Sequence, residues 1–172
     1  MSVLLVGLPD ELAEAAIRRL VAQADEVRVL TPDARRGDIY RPLGAHVALG
    51  DPSDDDLVER AAQNVRTIVL GDDGIAPETL DGLIAGASHA GVGRWIYCST
   101  APAALVTDRL GKDAGEYVVL RTGRRGLLKR SPVTPTQIAE AIDAADDLAG
   151  EVRLELDLNE PDAWRALRIE RS

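Results

Sequence analysis

The stretch VGLPDELA, residues 6–13, places a glycine directly after a short apolar run and before an amphipathic segment. The run that begins at Val3 is typical of a strand, and we expect a helix from about Asp10. A strand, a tight turn and a helix N-terminus form the setting in which proteins bind a pyrophosphate, because backbone amides and the helix dipole face the anion. The first candidate chemistry of this chain is therefore phosphate binding at Gly7.

Composition limits the kinds of partner that the chain can have. The 172 residues include 20 Lys and Arg against 29 Asp and Glu, a formal net charge of −9. This charge argues against nucleic acid or an anionic membrane surface as a partner. No apolar run approaches the roughly 18 residues that span a bilayer. The single cysteine, Cys98, excludes an internal disulfide and favours a cytoplasmic location.

Strand and helix patterns alternate along the chain, which predicts a doubly wound α/β fold. We predict one Rossmann-like domain over residues 1–172, with a mostly parallel sheet in the order 3-2-1-4-5-6 and a further C-terminal strand. Continuous apolar runs such as 67–70 are typical of parallel strands covered on both faces. The predicted strands are 3–7, 27–31, 46–49, 67–71, 95–99, 117–121 and 152–158. The predicted helices are 10–23, 54–63, 77–90, 136–148 and 161–167.

Two helix starts can be predicted from capping chemistry. Ser53 precedes three aspartates, so we expect its hydroxyl to cap a helix whose first turn is acidic. Helix capping explains these aspartates better than a metal site, since the alternating oxygen ligands and the glycine of a calcium loop are missing. Thr134 is followed by Pro135 and, three residues on, by Gln137, which predicts a capping box.

A series of segments follows in an order that is familiar from one protein family. The segments are VGLPDELA, EVRVLTPDARR, GDPSDDDLVERAAQNVRTIVLGDD, AGVGRWIYCST and EYVVLRTG. They resemble the NmrA-like, NAD(P)-binding branch of the atypical short-chain dehydrogenase/reductases over about residues 1–123. A looser similarity continues in SPVTPTQIAEAIDAA and EVRLELDLNEPDAWRAL. The resemblance implies a Rossmann-like fold and, if any cofactor binds, NAD or NADP.

The glycine-rich turn of that family is only partly kept. In the pattern G-x-x-G-x-x-G, Gly7 retains the first place, Asp10 takes the second and Ala13 the third. The second glycine lets the backbone approach the pyrophosphate, so the side chain and charge of Asp10 oppose binding there, and Pro9 removes a backbone donor. The alternative interpretation is that Asp10 simply caps the helix and occupies its positive end.

The resemblance also implies which residues would contact a dinucleotide. Thr31 ends the second strand, Asp51 matches a position near the adenine, and Ser99 matches a hydroxyl at the end of the fifth strand. Arg35 and Arg36 either serve the 2′-phosphate of NADP or lie in a solvated loop. The candidate cofactor-binding residues are Gly7, Leu8, Pro9, Asp10, Thr31, Asp51, Gly71, Asp72 and Ser99.

The catalytic Tyr-x-x-x-Lys that the resemblance implies is missing. Its nearest counterpart is DRLGK, which puts Asp108 in the tyrosine place and Lys112 in the lysine place. A carboxylate that is ionised at neutral pH cannot donate the proton that the tyrosine hydroxyl donates. We therefore name no catalytic residue and no metal ligand, and the sequence favours a protein without catalytic activity.

Three functional hypotheses remain. The first is a non-catalytic Rossmann-fold protein that acts as a ligand sensor or interaction subunit, with a weakened or lost dinucleotide site. The second is an NAD(P)-dependent oxidoreductase or epimerase with atypical site residues, and the third is a structural partner subunit with no ligand. A small-molecule or dinucleotide ligand, a protein partner and a homo-oligomer all stay open. The basic segment 121–130 either captures an anion or an acidic partner or forms a solvated loop.

Overall fold

Seven parallel strands form one sheet in the computed structural model, which describes residues 2–100, 104–113, 115–123 and 133–168. Their order is β3-β2-β1-β4-β5-β6-β7. The predicted order is confirmed, and the C-terminal strand continues the sheet in parallel beside β6. The strands are β1 Ser2–Val6, β2 Glu26–Thr31, β3 His46–Leu49, β4 Thr67–Leu70, β5 Arg94–Ser99, β6 Glu116–Arg121 and β7 Arg153–Asp157.

The strand register places the carboxyl ends of β1, β2 and β4 side by side at one end of the sheet. Val6 of β1 pairs with Leu30 of β2 on one side and with Leu70 of β4 on the other. The connections that follow these three strands therefore begin side by side. The chain leaves β1 towards β2 and later returns to the other flank of β1 through β4, so the edge beyond Val6 is the topological switch point of the sheet.

Helices cover both faces of the sheet. The helices are α1 Asp10–Ala22, α2 Ala34–Tyr40, α3 Asp55–Ala61, α4 Pro77–Ala90, α5 Ala104–Asp113, α6 Pro135–Asp146 and α7 Pro161–Ala166. A 3₁₀ turn, Arg41–Leu43, follows α2 directly. Five of these helices are predicted from the sequence to within a few residues, whereas α2 and α5 are not.

Alternate residues of each strand divide the apolar core into two layers. Val3 and Leu5 of β1 pack with α1, α6 and α7 on one face, while Leu4 and Val6 pack with α3, α4 and α5 on the other. The chain lacks phenylalanine, so aliphatic side chains fill most of both layers. Two-sided burial accounts for the uninterrupted apolar runs of the central strands.

One of the two predicted helix caps is confirmed and the other is wrong. Thr134 accepts a hydrogen bond from the Gln137 amide, and the Gln137 side chain accepts one from the Thr134 amide. At α3 the cap is Asp54 rather than Ser53, because the Asp54 carboxylate accepts the Leu57 amide at 3.0 Å. A carboxylate has the same capping geometry as a hydroxyl and adds charge at the helix dipole.

A buried arginine at the start of β5 stabilises the opposite end of the sheet, where the strands begin. Arg94 is 3% exposed, and its Nε and second terminal nitrogen bind the Glu116 carboxylate at 2.8 and 2.6 Å. Its other nitrogen donates to the carbonyl oxygens of Ala145 and Asp146 at the end of α6. Burial raises the pKa of the neighbouring Asp146 carboxyl, which accepts a hydrogen bond from Thr67. Arg94 thus joins β5, β6 and α6.

We expect Arg94→Met to lower the free energy of unfolding by about 3 kcal/mol, because it leaves the Glu116 carboxylate and the Ala145 carbonyl without their cation, whereas the Asp146 carbonyl keeps Arg66. Urea denaturation followed by circular dichroism measures the change. The matched control is Arg165→Met, since Arg165 pairs with Asp162 on the exposed surface of α7 and exposed pairs stabilise little. Equal and small losses in the two variants would contradict this role of Arg94.

Candidate functional site

A cleft of about 460 Å³ lies at the switch point, beyond the carboxyl ends of β1, β2 and β4. Residues from the connections after these strands and after β3 line it. The lining residues are Leu5, Val6, Gly7, Leu8, Ala13, Val29, Leu30, Thr31, Pro32, Asp33, Arg36, Tyr40, Asp51, Pro52, Asp73, Gly74, Ile75 and Thr79. Of the nine predicted contact residues, Gly7, Leu8, Thr31 and Asp51 are among them.

Two glycines allow the loops after β1 and β4 to come into close contact beneath the cleft. Gly7 turns the chain after β1 with a φ of 64°, a conformation that favours glycine. Gly71 donates its amide to the Val6 carbonyl at 2.9 Å, and a Cβ at Gly71 would overlap the Gly7 carbonyl. The Asp73 amide then donates to the Gly7 carbonyl at 2.9 Å. The loops after β1 and β4 are therefore in direct contact, and Gly71 supports the cleft from below.

The N-terminus of α1 has no side-chain cap. Pro9 is the N-cap residue, and no side chain accepts a hydrogen bond from the first turn. The first helical bond runs from the Ala13 amide to the Pro9 carbonyl at 2.8 Å. The prediction that Asp10 caps the helix is therefore wrong, although Asp10 is an acid in the first turn. The earlier amides of the turn are left for solvent or for an anion.

The Asp10 carboxylate is instead bound by α2. It lies 2.9 Å from Arg36 Nε in an ion pair and accepts a hydrogen bond from the Tyr40 hydroxyl, also at 2.9 Å. A terminal nitrogen of Arg36 binds the Asp73 carboxylate at 2.6 Å. The hydrogen bond to Asp73 is the main cause that raises the pKa of the Arg36 guanidinium, and burial raises the pKa of the Tyr40 phenol. Arg36 thus lies in the cleft and not in a solvated loop.

Turn chemistry organises the connections after β2 and β3. Thr31 is buried, and its hydroxyl accepts the Asp33 amide at 3.2 Å. The Asp33 carboxylate caps α2 by accepting the Arg35 amide at 2.8 Å. Asp51 accepts the Ser53 amide at 2.9 Å, and this hydrogen bond lowers the pKa of the Asp51 carboxyl. These residues offer carboxylate oxygens to a ligand at the β2 side of the cleft.

A second polar cluster lies at the carboxyl ends of β4 and β5, where Asp72 collects hydrogen bonds. Its carboxylate accepts the Tyr97 hydroxyl, the Thr100 amide at 2.8 Å and the Thr100 hydroxyl at 3.1 Å. The Ser99 hydroxyl lies 3.4 Å from the same carboxylate. Burial, more than the bond to Asp72, raises the pKa of the Tyr97 phenol. The predicted residues Asp72 and Ser99 are thus brought together with each other, outside the lining of the cleft.

The predicted counterparts of the catalytic pair lie on α5. Asp108 and Lys112 are one helical turn apart, and both side chains are exposed. Among the described residues, no three potential metal ligands form a group, and no helix is long and apolar enough to span a membrane. Burial raises the pKa of the Cys98 thiol to about 12, which suits a core residue.

The basic segment 121–130 lies largely outside the described residues, which stop at Gly123 and resume at Val133. Arg121 ends β6 and pairs with Glu155 of β7 at 2.9 Å. Its position is explained by this pair, and the anion-capture hypothesis for the rest of the segment stays a prediction.

Comparison with solved structures identifies the fold. An NADPH-dependent quinone oxidoreductase from Escherichia coli, complexed with NADPH, superposes with a TM-score of 0.74 at 19% identity, over 91% of this chain and 68% of that chain. The chain has the Rossmann fold. A triphenylmethane reductase from Citrobacter sp., complexed with NADP(H), gives 0.72 at 15% identity over 92% and 70% of the two chains. The anaerobillin reductase ChuY from E. coli O157:H7 gives 0.68 at 16% identity over 94% and 98%.

The sequence matches no protein-family model, and no curated protein matches it. The Rossmann fold is therefore carried by a sequence of low identity to these proteins. The three-dimensional likeness extends over nine-tenths of the chain.

The contact between Asp10 and Tyr40 can be measured with a double-mutant cycle of Asp10→Ala and Tyr40→Phe. We expect a coupling energy of about 1 kcal/mol in urea unfolding, because the buried phenol donates to a charged acceptor. Asp10→Ala combined with Tyr117→Phe is the control, since Tyr117 lies on β6 and its effect should add. Purely additive effects of Asp10 and Tyr40 would contradict a stabilising hydrogen bond between the two side chains.

Proposed function

We propose that the cleft binds an NAD(P) dinucleotide and that the chain is an NAD(P)-dependent oxidoreductase. The observation that carries the proposal is the place of the cleft, outside the carboxyl ends of β1 and β4 and beside the uncapped N-terminus of α1. In open α/β sheets, ligands bind at this switch point. The first-turn amides of α1 would hold the pyrophosphate there.

The size and walls of the cleft fit the adenosine half of such a ligand. Its volume of about 460 Å³ lies within the range of about 300–1,000 Å³ that is usual for small-molecule sites. Leu8, Val29 and Ile75 provide apolar surface for a base. Thr31 and Asp51 lie at the β2 side, where the family resemblance implies contacts with the adenosine.

Asp10 opposes an anion less than its sequence position predicts. An unpaired carboxylate at the first turn would repel a pyrophosphate, with roughly 1 kcal/mol per unit-charge pair at 4 Å in water and more near a protein surface. Arg36 lies 2.9 Å from that carboxylate and compensates its charge. Tyr40 holds the same oxygen towards α2. The remaining obstacles are the Asp10 side chain, which takes the place of the second glycine, and the missing amide of Pro9.

The nicotinamide of such a cofactor supplies hydride transfer, so the protein has to bind, orient and shield the reacting groups. Asp72 and the side chains that contact it, Tyr97, Ser99 and Thr100, form what we name the Asp72 cluster. It lies at the carboxyl ends of β4 and β5, on the opposite side of β1 from Thr31 and Asp51. Tyr97 is buried and donates to Asp72, so its phenol keeps its proton and positions the carboxylate. Thr100 is the exposed hydroxyl of the cluster and is the one that can contact a substrate.

A second candidate is a ligand sensor or interaction subunit that binds in the same cleft without catalysis. The exposure of Asp108 and Lys112 favours it, because neither side chain is placed in the polar cluster where a proton donor would be needed. The two candidates share the ligand and differ in turnover.

We expect ADP-ribose and a dinucleotide to stabilise the wild-type protein against heat, and nicotinamide mononucleotide to have little effect, since the cleft fits the adenosine half. A ligand at 100 times its dissociation constant adds about 2.7 kcal/mol to the free energy of unfolding. A thermal-shift panel of ADP-ribose, NAD, NADH, NADP, NADPH and mononucleotides, nicotinamide mononucleotide among them, measures the stabilisation by each ligand. Oxidation of NADH or NADPH by quinone and carbonyl acceptors then separates an oxidoreductase from a sensor. Absence of stabilisation by every adenosine-containing ligand would refute the proposal.

Replacing Leu8-Pro9-Asp10 by Ala-Thr-Gly should tighten NAD binding. The change restores a backbone donor at residue 9 and lets the backbone approach the pyrophosphate. We expect the free energy of unfolding to fall by about 1 kcal/mol, because Tyr40 loses its acceptor. Isothermal titration calorimetry gives the affinity, and Asp38→Gly on the exposed side of α2 is the control. Unchanged or weaker NAD binding would show that the loop is not the pyrophosphate site.

A further inference from the structure

Acidic side chains outnumber basic ones around the cleft. Among the described residues that line it, Asp33, Asp51 and Asp73 carry carboxylates and Arg36 is the one cation. The chain as a whole has a formal net charge of −9. A ligand that enters the cleft therefore meets a negative potential unless Arg36 is available to it.

Arg36 is already engaged by two carboxylates. Its Nε lies 2.9 Å from Asp10, and a terminal nitrogen lies 2.6 Å from Asp73. Asp10 belongs to α1 and Asp73 follows β4, whereas Arg36 lies on α2, so the pair with Asp73 crosses the carboxyl end of β1 and the pair with Asp10 joins α2 to α1. We name this group the Arg36 clasp. The clasp as a unit carries two negative charges against one positive charge.

Pro32 and Asp33, which line the cleft directly after β2, offer acceptors and few donors, and the exposed Arg35 is not among the lining residues. Pro32 has no amide hydrogen. The Asp33 amide is used by the Thr31 hydroxyl, and the Arg35 amide is used by the Asp33 carboxylate. A ribose hydroxyl can donate to the free oxygen of a carboxylate, whereas a 2′-phosphate needs donors and cations. The β2 side of the cleft is therefore complementary to an unmodified ribose.

We infer that the cleft selects a dinucleotide with a free 2′-hydroxyl, of the NAD class, and discriminates against the 2′-phosphate of NADP. The inference rests on the proposed function and adds the ligand class. A 2′-phosphate brings about two further negative charges to a cleft whose one guanidinium is shared by Asp10 and Asp73. Binding NADP would require breaking at least one arm of the clasp.

Calorimetric titration of the wild-type protein with NAD and with NADP at about 0.15 M salt tests the selection. We expect NAD to bind at least about tenfold more tightly, a difference of about 1.4 kcal/mol. Equal affinities, or tighter binding of NADP, would overturn the inference and leave the proposed function standing. Binding of neither dinucleotide, nor of ADP-ribose, would overturn both.

Opening the clasp should reverse part of the discrimination. In Asp73→Asn the Arg36 guanidinium keeps one carboxylate partner, so we expect NADP affinity to rise by roughly threefold or more while NAD affinity changes by less than about twofold. The double variant Asp10→Asn/Asp73→Asn should extend the gain. Asp38→Asn is the matched control, because Asp38 lies on α2 like Arg36 but pairs with Arg41 of the following 3₁₀ turn, outside the cleft. No change in the NAD to NADP ratio in the double variant would overturn the role of the clasp.

Discussion

The contact between the loops after β1 and β4 determines where a ligand can bind. Gly7 turns with a positive φ, and Gly71 has no side chain, so the two loops touch at the end of β1. The connection after β2 lies on one side of this contact, and Asp73 lies on the other. A ligand at this edge must therefore lie across the Gly7 turn, where the amides of α1 point outwards. The remaining parts of the site are arranged around that crossing.

Charge compensation explains how an acid can occupy the turn. In a glycine-rich loop, the helix dipole and the backbone amides are left for the ligand. Here Asp10 brings a carboxylate to the first turn, and Arg36 on α2, 2.9 Å away, offsets part of its charge. The same guanidinium binds Asp73, so it cannot serve a ligand phosphate without losing a partner. In the proposed dinucleotide complex, the ion pairs that compensate Asp10 would also leave no free cation for a 2′-phosphate.

Much of the fold can be predicted from local sequence, because buried parallel strands produce continuous apolar runs such as 67–70. Helix α2 escapes prediction since residues 34–40 include Gly37 and have no apolar stripe; the Asp33 cap and the burial of Tyr40 stabilise it instead. In α5 a signal exists, because Val106 and Leu110 are four residues apart and both buried, but Gly111 interrupts a short segment. At α3 the cap shifts by one residue, from Ser53 to Asp54, because both types can accept the amide.

The site itself is less predictable, because its partners are distant in sequence. Of the nine candidate residues, four line the cleft, Asp72 and Ser99 belong to the polar cluster at the ends of β4 and β5, and three belong to neither, a division that only the tertiary structure reveals. Asp10 meets Tyr40 from 30 residues away, and no local pattern predicts that bond. At the Asp72 cluster the hydroxyls of Ser99 and Thr100 face a carboxylate. Topology alone places the binding cleft, whereas chemistry depends on single side chains, so the fold can keep a dinucleotide site while its reactive end differs from a Tyr–Lys pair.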